Sequence, residues 1–335
     1  MSTADIVARD QDHGPTWLKK FVIAAGIVIL VGIVPVALIA LWLGPVAALA
    51  FPFGLMGGVF ASRGENQTTA WALFPLLAIG GALSAYTAGT WSWVAVLAVL
   101  GAIIGFLSSA GRAVAVIEVC IIVVSGDSYR EPGDLLLYTA FLAIGYLAGM
   151  LIGRLTGAAK LTERKPFTYV SGPRAMILCA GIMGLAGVIG VVLTSQFGWT
   201  KAYWLPMVFL ILLEFYITDP HGGARMIIGR VVGTVLGIAL LIPVLSQLPL
   251  VGQVVAFVAL IAAGIATSDA RYWLSTAYIA AAVVLITSIG ADPKVVGNQR
   301  FWSTFIAFVL VGLIAWGMRW VRVGEKVTVP SREVV

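Results

Sequence analysis

Apolar positions along the chain fall into long runs that are separated by short polar connections. A helix needs about 20 consecutive apolar residues to cross the hydrocarbon core of a bilayer. The runs predict twelve transmembrane helices, over Phe21–Trp42, Gly44–Ala61, Thr69–Thr87, Trp91–Ser108, Ala113–Val124, Leu135–Gly153, Ala175–Thr194, Tyr203–Ile217, Met226–Leu245, Val251–Thr267, Leu274–Ile289 and Phe301–Trp320.

Several of these runs are shorter than a full crossing, and Ala113–Val124 is the shortest. A short span is tolerated where neighbouring helices bury it, so all twelve are retained. The first run follows about 20 polar residues and is itself about 22 residues long, which exceeds the apolar core of a signal peptide. We therefore expect a first helix that is kept in the mature protein.

Composition decides the broad class. Of 335 residues, 60% are hydrophobic and 11% are charged, a balance that no water-soluble fold could bury. The sequence predicts an all-α polytopic membrane protein in contact with the lipid bilayer.

The positions of lysine and arginine indicate the topology. With the N-terminus in the cytoplasm, all but four of the 21 basic residues fall on the cytoplasmic side, the exceptions being Arg130, Lys201, Lys294 and Arg300. This is the positive-inside pattern, and it places both termini in the cytoplasm. It also accounts for the net charge of +6, so that no nucleic-acid partner is needed.

Two halves of the chain share short motifs. GFLSSAGR, from Gly105 to Arg112, aligns with GIATSDAR, from Gly264 to Arg271. Because each half holds six spans, the repeats would be parallel and related by a pseudo-two-fold axis along the membrane normal. The predicted divisions are a cytoplasmic tail (1–20), a first repeat (21–157), a basic linker (158–173), a second repeat (174–322) and a cytoplasmic tail (323–335).

Two acids lie within predicted spans, where a charge requires a role or a partner. Glu118 lies about 9 Å from Arg112 along its helix, and Glu214 lies about 7.5 Å from the cytoplasmic end of its span. The acids could line a solute site that faces the cytoplasm and exchange protons there. They could equally form static salt bridges, an alternative that is favoured for Glu118.

Basic residues at the starts of spans are candidate anion ligands. Arg225 and Arg230 project about 140° apart on a helix, so they cannot both face one ligand directly. Arg230 enters the membrane more deeply and is the better ligand, whereas Arg225 could mark the lipid headgroup boundary. Arg112 and Arg271 are repeat-related candidates. Gly229, Gly233 and Gly237 share one helix face and predict close helix packing.

Enzyme motifs are absent from the sequence: it contains no His-Glu-x-x-His, no Walker loop and no G-x-S-x-G. With two histidines and two cysteines, a metal site built from those ligands is not expected. We expect neither catalysis nor a cofactor.

The segment from Tyr203 to Leu241 contains Tyr-Trp, then Arg230, Gly233, Thr234 and Gly237, spaced as Arg-x-x-Gly-Thr-x-x-Gly. It resembles the fusaric acid resistance (FUSC) and aromatic acid exporter family of inner-membrane proteins. That family's repeat ends with Arg, Asp-Thr and Gly, where this chain has Arg300, Ser303-Thr304 and Ala307.

The resemblance implies efflux of small organic acids, often aromatic carboxylates, together with a separate periplasmic adaptor protein of the membrane-fusion type. Family members commonly carry a large cytoplasmic domain, and this chain resembles a short form without it. Plant anion channels of the malate type, with a dimeric pore, look distantly similar, so a homo-oligomer is an open alternative.

The hypothesis from sequence is a secondary exporter of organic anions in which Arg230, with Arg112 and Arg271, attracts the carboxylate. Glu214 would be protonated or paired when the substrate is absent, and coupling to protons is conceivable because desolvation raises the pKa of such an acid. A passive anion channel and a non-transporting envelope scaffold are the alternatives.

Overall fold

The computed structural model describes residues 17–62, 67–109, 113–155, 168–170, 173–218, 223–267, 272–288, 292–318 and 326–328. Helix α1 covers Trp17–Leu43 and contains a π-helical segment, Val28–Ile33. The other helices are α2 (Pro45–Ser62), α3 (Gln67–Thr87), α4 (Trp91–Ser109), α5 (Ala113–Val124), α6 (Pro132–Leu155), α7 (Pro173–Phe197), α8 (Trp204–Thr218), α9 (Gly223–Leu236), α10 (Leu250–Thr267), α11 (Tyr272–Thr287) and α12 (Pro293–Met318). Helix α9 continues through the π-helical turn Gly237–Leu241 into Ile242–Leu245.

The helical prediction is confirmed in its coarse form. A helix lies over each of the twelve predicted runs. Within the described residues, seven helices are long and apolar enough to cross a membrane, while α5, α8, α10 and α11 are shorter apolar helices. The chain is therefore a polytopic membrane protein. Twelve complete crossings and the arrangement as two six-helix repeats stay predictions.

Local sequence signals explain where several helices begin and end. Proline is the first residue of α2, α6, α7 and α12, where its fixed φ suits a helix and its missing N–H costs nothing. The backbone N–H of Lys294 donates to Asp292 Oδ1 at 2.8 Å, so Asp292 caps the start of α12. Gly44, just after α1, has a φ of +87°, a left-handed conformation that glycine adopts without strain.

The chain divides into two compact units. One comprises Met1–Val34 and Val232–Gly297, and the other comprises Pro35–Val231 and Asn298–Val335. The first contains α10, α11 and the start of α1, which packs against α10. Gly233 and Gly237 lie against the carbonyl oxygens of Trp273 and Ala277 on α11, which confirms the predicted packing role of these two glycines.

In the second unit, two helix pairs make close backbone contact through glycine. On α2, Gly54 and Gly58 lie against the carbonyl oxygens of Leu142 and Tyr146 on α6. Gly101 on α4 lies against the carbonyl of Cys179 on α7 in the same way. Small residues allow this approach because the backbones are not held apart by side chains. The two pairs, α2/α6 and α4/α7, form the close-packed part of the second unit.

Helix α8 is the most completely enclosed helix of the second unit. Each side chain from Ala202 to Leu213 is buried, and the helix packs against α5 and α7. A helix that is apolar all round is covered either by protein or by lipid, and here neighbouring helices provide the cover. Ser125 Oγ, just after α5, lies 3.4 Å from Met207 Sδ near the start of α8. The two helices therefore run in opposite directions.

Two short strands also belong to the second unit. Strand β1 (Thr168–Val170) precedes α7 and pairs antiparallel with β2 (Lys326–Thr328), which follows α12. The pairing puts the linker and the C-terminal segment on the same side of the protein, as the predicted topology requires. The identity of that side as cytoplasmic stays a prediction.

Candidate functional site

Charged residues of three helices meet in the second unit. Glu214 lies toward the end of α8 and Arg230 lies seven residues into α9, both half-buried. The positive charge of Arg230 acts on the Glu214 carboxylate. The two residues that sequence reasoning ranked highest are therefore brought together on neighbouring helices.

Arg300 of α12 is the third charged residue. Its side chain is 5% exposed, and it lies seven residues after Pro293, or about 10 Å along the helix axis. The charges of Arg230 and Arg300 act on each other. Two guanidinium groups from separate helices thus lie within electrostatic range inside an apolar bundle, with the Glu214 carboxylate near one of them.

An aromatic ring lies against Arg300, and a second one lies beside the first. Its guanidinium carbon lies 4.1 Å from the ring centroid of Trp204, the first residue of α8, a cation–π contact that strengthens when it is removed from water. Tyr203 stacks against Trp204 at 5.0 Å between ring centroids. Tyr203 also lies within electrostatic range of Arg300, Asp127 and two further phenols, Tyr129 and Tyr138.

Several polar atoms in this region have no hydrogen-bond partner. Among the side chains that the structure describes, the buried nitrogen and oxygen atoms without one are Tyr138 Oη, Trp204 Nε1, Arg300 Nε and Arg300 Nη1. Buried polar groups are nearly always paired, and each exception requires an explanation. We call Tyr138, Trp204 and Arg300, with Tyr203 beside them, the donor cluster.

An ion pair lies next to the donor cluster. Lys201 Nζ lies 2.6 Å from Asp127 Oδ2, and the Lys201 backbone N–H donates to Gln299 Oε1 at 3.2 Å. The segment before α8 is thereby joined to the α5–α6 connection and to α12. Burial and the nearby Asp127 carboxylate raise the pKa of Tyr129 in that connection, so its phenol stays neutral at physiological pH.

Glu118 lies on α5, half-buried. It is seven residues before Ser125, and Glu214 is seven residues after Met207. Because Ser125 and Met207 meet where the antiparallel helices α5 and α8 pack, both acids lie at a similar level, about 10 Å from that contact.

The other predicted ligands cannot be placed in the same way. Arg112 and Arg271 lie outside the described residues. Arg225 is in the first turn of α9, but its side chain is also outside the described part of the chain. Their roles as ligands stay predictions.

Arg300 is the residue that sequence reasoning missed. The predicted span began at Phe301, the first apolar residue, which left Arg300 at the outer boundary, but the helix begins at Pro293. The missed signal was Asp292-Pro293, a capping residue followed by a helix-starting proline. Gln299, Ser303 and Thr304 are buried with Arg300, so this part of α12 turns polar side chains inward.

Comparison with known families gives one match, over part of the chain. Residues 185–315 match the family model of fusaric acid resistance protein-like proteins. The resemblance inferred from the sequence is confirmed. No curated protein and no solved structure matches the chain. The matched region extends from α7 into α12 and contains Glu214, Arg230, Trp204 and Arg300, so most of the charged site falls inside the fusaric acid resistance protein-like region.

Proposed function

We propose that the protein is a secondary transporter that exports small organic anions across the bacterial inner membrane. The family match and the apolar helices support a membrane transporter. The observation that carries the choice of an anion is the proximity of Arg230 and Arg300, two like charges on separate helices of an apolar bundle.

The electrostatics favour an anionic solute. A charge in a low-dielectric interior is costly unless an opposite charge is near, and two like charges raise that cost further. Glu214 offsets part of the positive charge of Arg230. An anion that enters between the guanidinium groups would offset the remainder, and the pair would therefore attract it more strongly than either group alone.

Glu214 gives the proposal a route to proton coupling. With its carboxylate ionised, Glu214 and a substrate anion compete for Arg230. Protonation of Glu214 releases Arg230 to the anion, and loss of that proton on the other side of the cycle weakens anion binding. Proton and anion binding are then linked with the same sign at one arginine, so the two would move together and the direction of the imposed pH gradient would set the direction of net anion movement.

The finer parts of the proposal rest on the family resemblance. Aromatic carboxylic acids are the substrate class that it implies, and a periplasmic membrane-fusion adaptor is the implied partner. Cytoplasmic termini follow from the lysine and arginine pattern. We include all three in the proposed function.

The test is transport in proteoliposomes with radiolabelled benzoate at pH 8, where leak of the neutral acid is small and protein-free liposomes measure the remainder. We expect concentrative movement driven by an imposed pH gradient. Arg230→Ala should abolish it, and Glu214→Gln should remove its dependence on the gradient. Arg154→Ala is the matched control, because Arg154 is an exposed residue in the last turn of α6.

The alternatives predict different results. A passive channel gives large voltage-driven currents in a planar bilayer with no proton dependence. A scaffold gives no flux. Unchanged transport in both Arg230→Ala and Glu214→Gln would contradict the roles assigned to these residues.

A further inference from the structure

The donor cluster concentrates unmet hydrogen-bonding capacity in one place. Every buried side-chain atom that lacks a partner in the described residues belongs to Tyr138, Trp204 or Arg300. Each of these side chains can donate: a phenol O–H, an indole N–H and a guanidinium. Trp204 and Arg300 lie on α8 and α12, which are far apart in sequence, and the fold brings these two side chains into contact. Tyr138 of α6 lies within electrostatic range of the neighbouring Tyr203.

Burial makes unmet donors costly in the folded protein. Trp204 is 1% exposed and Arg300 is 5% exposed, so water cannot readily satisfy their N–H groups. A donor that is buried without an acceptor loses its hydration and gains nothing in return. A residue chosen for stability alone would be apolar at position 300.

A static salt bridge does not account for Arg300. The groups whose charges act on it, within the described residues, are Arg230 and the phenol of Tyr203. The nearby Asp127 carboxylate is held by Lys201 at 2.6 Å. Trp204 covers one face of the guanidinium through its ring, which leaves the edge donors Nε and Nη1 for an acceptor in the plane of the group.

We propose that Arg300 and Trp204 form a binding site for a carboxylate, with Arg300 supplying the charge and Trp204 supplying a neutral donor. The site deepens the proposed function, on which it rests for its place in transport. The unmet donors need acceptor oxygens. An ionised carboxylate provides two such oxygens and carries no proton that must be lost before it can accept. The rings of Tyr203 and Trp204 are the kind of aromatic surface on which a flat apolar body stacks.

Binding of benzoate to the whole protein in detergent tests the site apart from transport. Isothermal titration calorimetry should show that benzoate binds the wild type and that benzamide, of the same shape but without charge, binds at least tenfold more weakly. Arg300→Leu should reduce benzoate affinity at least a hundredfold, and Arg300→Lys about tenfold, because lysine keeps the charge but loses the planar donors. Trp204→Phe keeps the ring and removes the N–H, with about a tenfold loss. Arg154→Leu, an exposed arginine, should bind as the wild type does.

The apo protein supplies a second readout. Because the donors of Arg300 are unmet, Arg300→Leu should melt no lower than the wild type without ligand, and benzoate should raise the melting temperature of the wild type but not of the variant. A large drop in the melting temperature of ligand-free Arg300→Leu would show a structural partner for Arg300 and overturn the proposal.

A lipid phosphate could offer the same oxygens, so the titration is repeated in excess phosphatidylglycerol. Benzoate binding that survives assigns the site to a free carboxylate, and displacement by the lipid overturns that assignment.

Failure of benzoate to bind the wild type, or equal binding to Arg300→Leu, also overturns the proposal. If transport persists but Arg300→Leu binds benzoate as the wild type does, the binding site is overturned and the proposed function stands. If benzoate binds through Arg300 but no transport is measured, the proposed function is overturned and the binding site stands.

Discussion

The second unit contains two kinds of buried region that differ in how their polar groups are satisfied. One is the close-packed helix pairs α2/α6 and α4/α7, and the other is the donor cluster. In the pairs, glycine brings backbones into contact and few polar side chains are enclosed. In the donor cluster, the Trp204 ring covers a buried guanidinium of which Nε and Nη1 have no acceptor. The first arrangement is what packing energy favours, and the second is what it opposes.

The difference separates residues that hold the fold from residues that serve a ligand. Substitutions in the glycine pairs should cost stability and impair function only through misfolding. Substitutions in the donor cluster should leave stability intact and impair binding, a trade-off common at functional sites. The predictions below test this separation, from the largest expected effect to the smallest.

The largest effect should come from Gly58→Val. A Cβ at Gly58 would collide with the carbonyl oxygen of Tyr146, a backbone atom that cannot move without separating α2 from α6. We expect a loss of about 3 kcal/mol or more, at the top of the range for overpacking. A thiol-reactive dye can follow unfolding in detergent, because Cys120 and Cys179 are buried.

Gly181→Val is the matched control, since a Cβ at Gly181 meets nothing within 4 Å. It should change stability by no more than about 0.5 kcal/mol, as surface substitutions usually do. Equal melting temperatures for Gly58→Val and Gly181→Val would contradict the claim that close backbone contact stabilises the α2/α6 pair.

Two buried tryptophans make an intermediate test. Trp93 Nε1 donates to Ser84 Oγ at 3.1 Å, whereas Trp204 Nε1 has no acceptor. Trp93→Phe should lose about 1 kcal/mol because a buried hydrogen bond disappears. Both substitutions also shrink a fully buried side chain, and the two share that cost, so Trp93→Phe should be the more destabilising by about the energy of its hydrogen bond.

The same dye assay measures the unfolding free energy of both variants, and the difference between the two losses tests the prediction. If Trp204→Phe were the more destabilising, its N–H would have a partner in the folded protein and the donor cluster would be a structural network.

The smallest effect should come from Asp127→Asn. This removes the ion pair with Lys201, whose side chains are 15% (Lys201) and 28% (Asp127) exposed, and partly exposed pairs contribute about 0.2–1 kcal/mol. High salt should lower the melting temperature of the wild type slightly and leave that of Asp127→Asn unchanged. Glu131→Gln, an exposed acid in the same connection, should retain the wild-type salt response. Loss of that response in both variants would show that it does not come from this ion pair.

The positions of the helices could be predicted because a membrane span leaves a strong composition signal. Their pairing could not. Nothing in the sequence states that Gly54 meets Leu142 or that Gly101 meets Cys179, because such contacts depend on which helices are neighbours. Glycine spacing indicates a packing face but not the partner.

The candidate site was predicted in part for the same reason. Glu214 and Arg230 are charges inside apolar runs, which makes them visible in the sequence alone. Arg300 was hidden because it lies beside an apolar run and looked like a boundary residue. Its burial depends on α12 starting at Pro293 and on Trp204 reaching it from α8.

The pairing of β1 with β2 has a practical consequence for gene design. These strands bring residues 168–170 and 326–328 side by side, so the segment between them, which holds the fusaric acid resistance protein-like region, has adjacent ends. Chains with neighbouring ends accept circular permutation. Within this segment, a flexible linker that joins Thr328 to Thr168 and a new opening between two of its helices would permute the helix order, and would test whether that order matters for insertion.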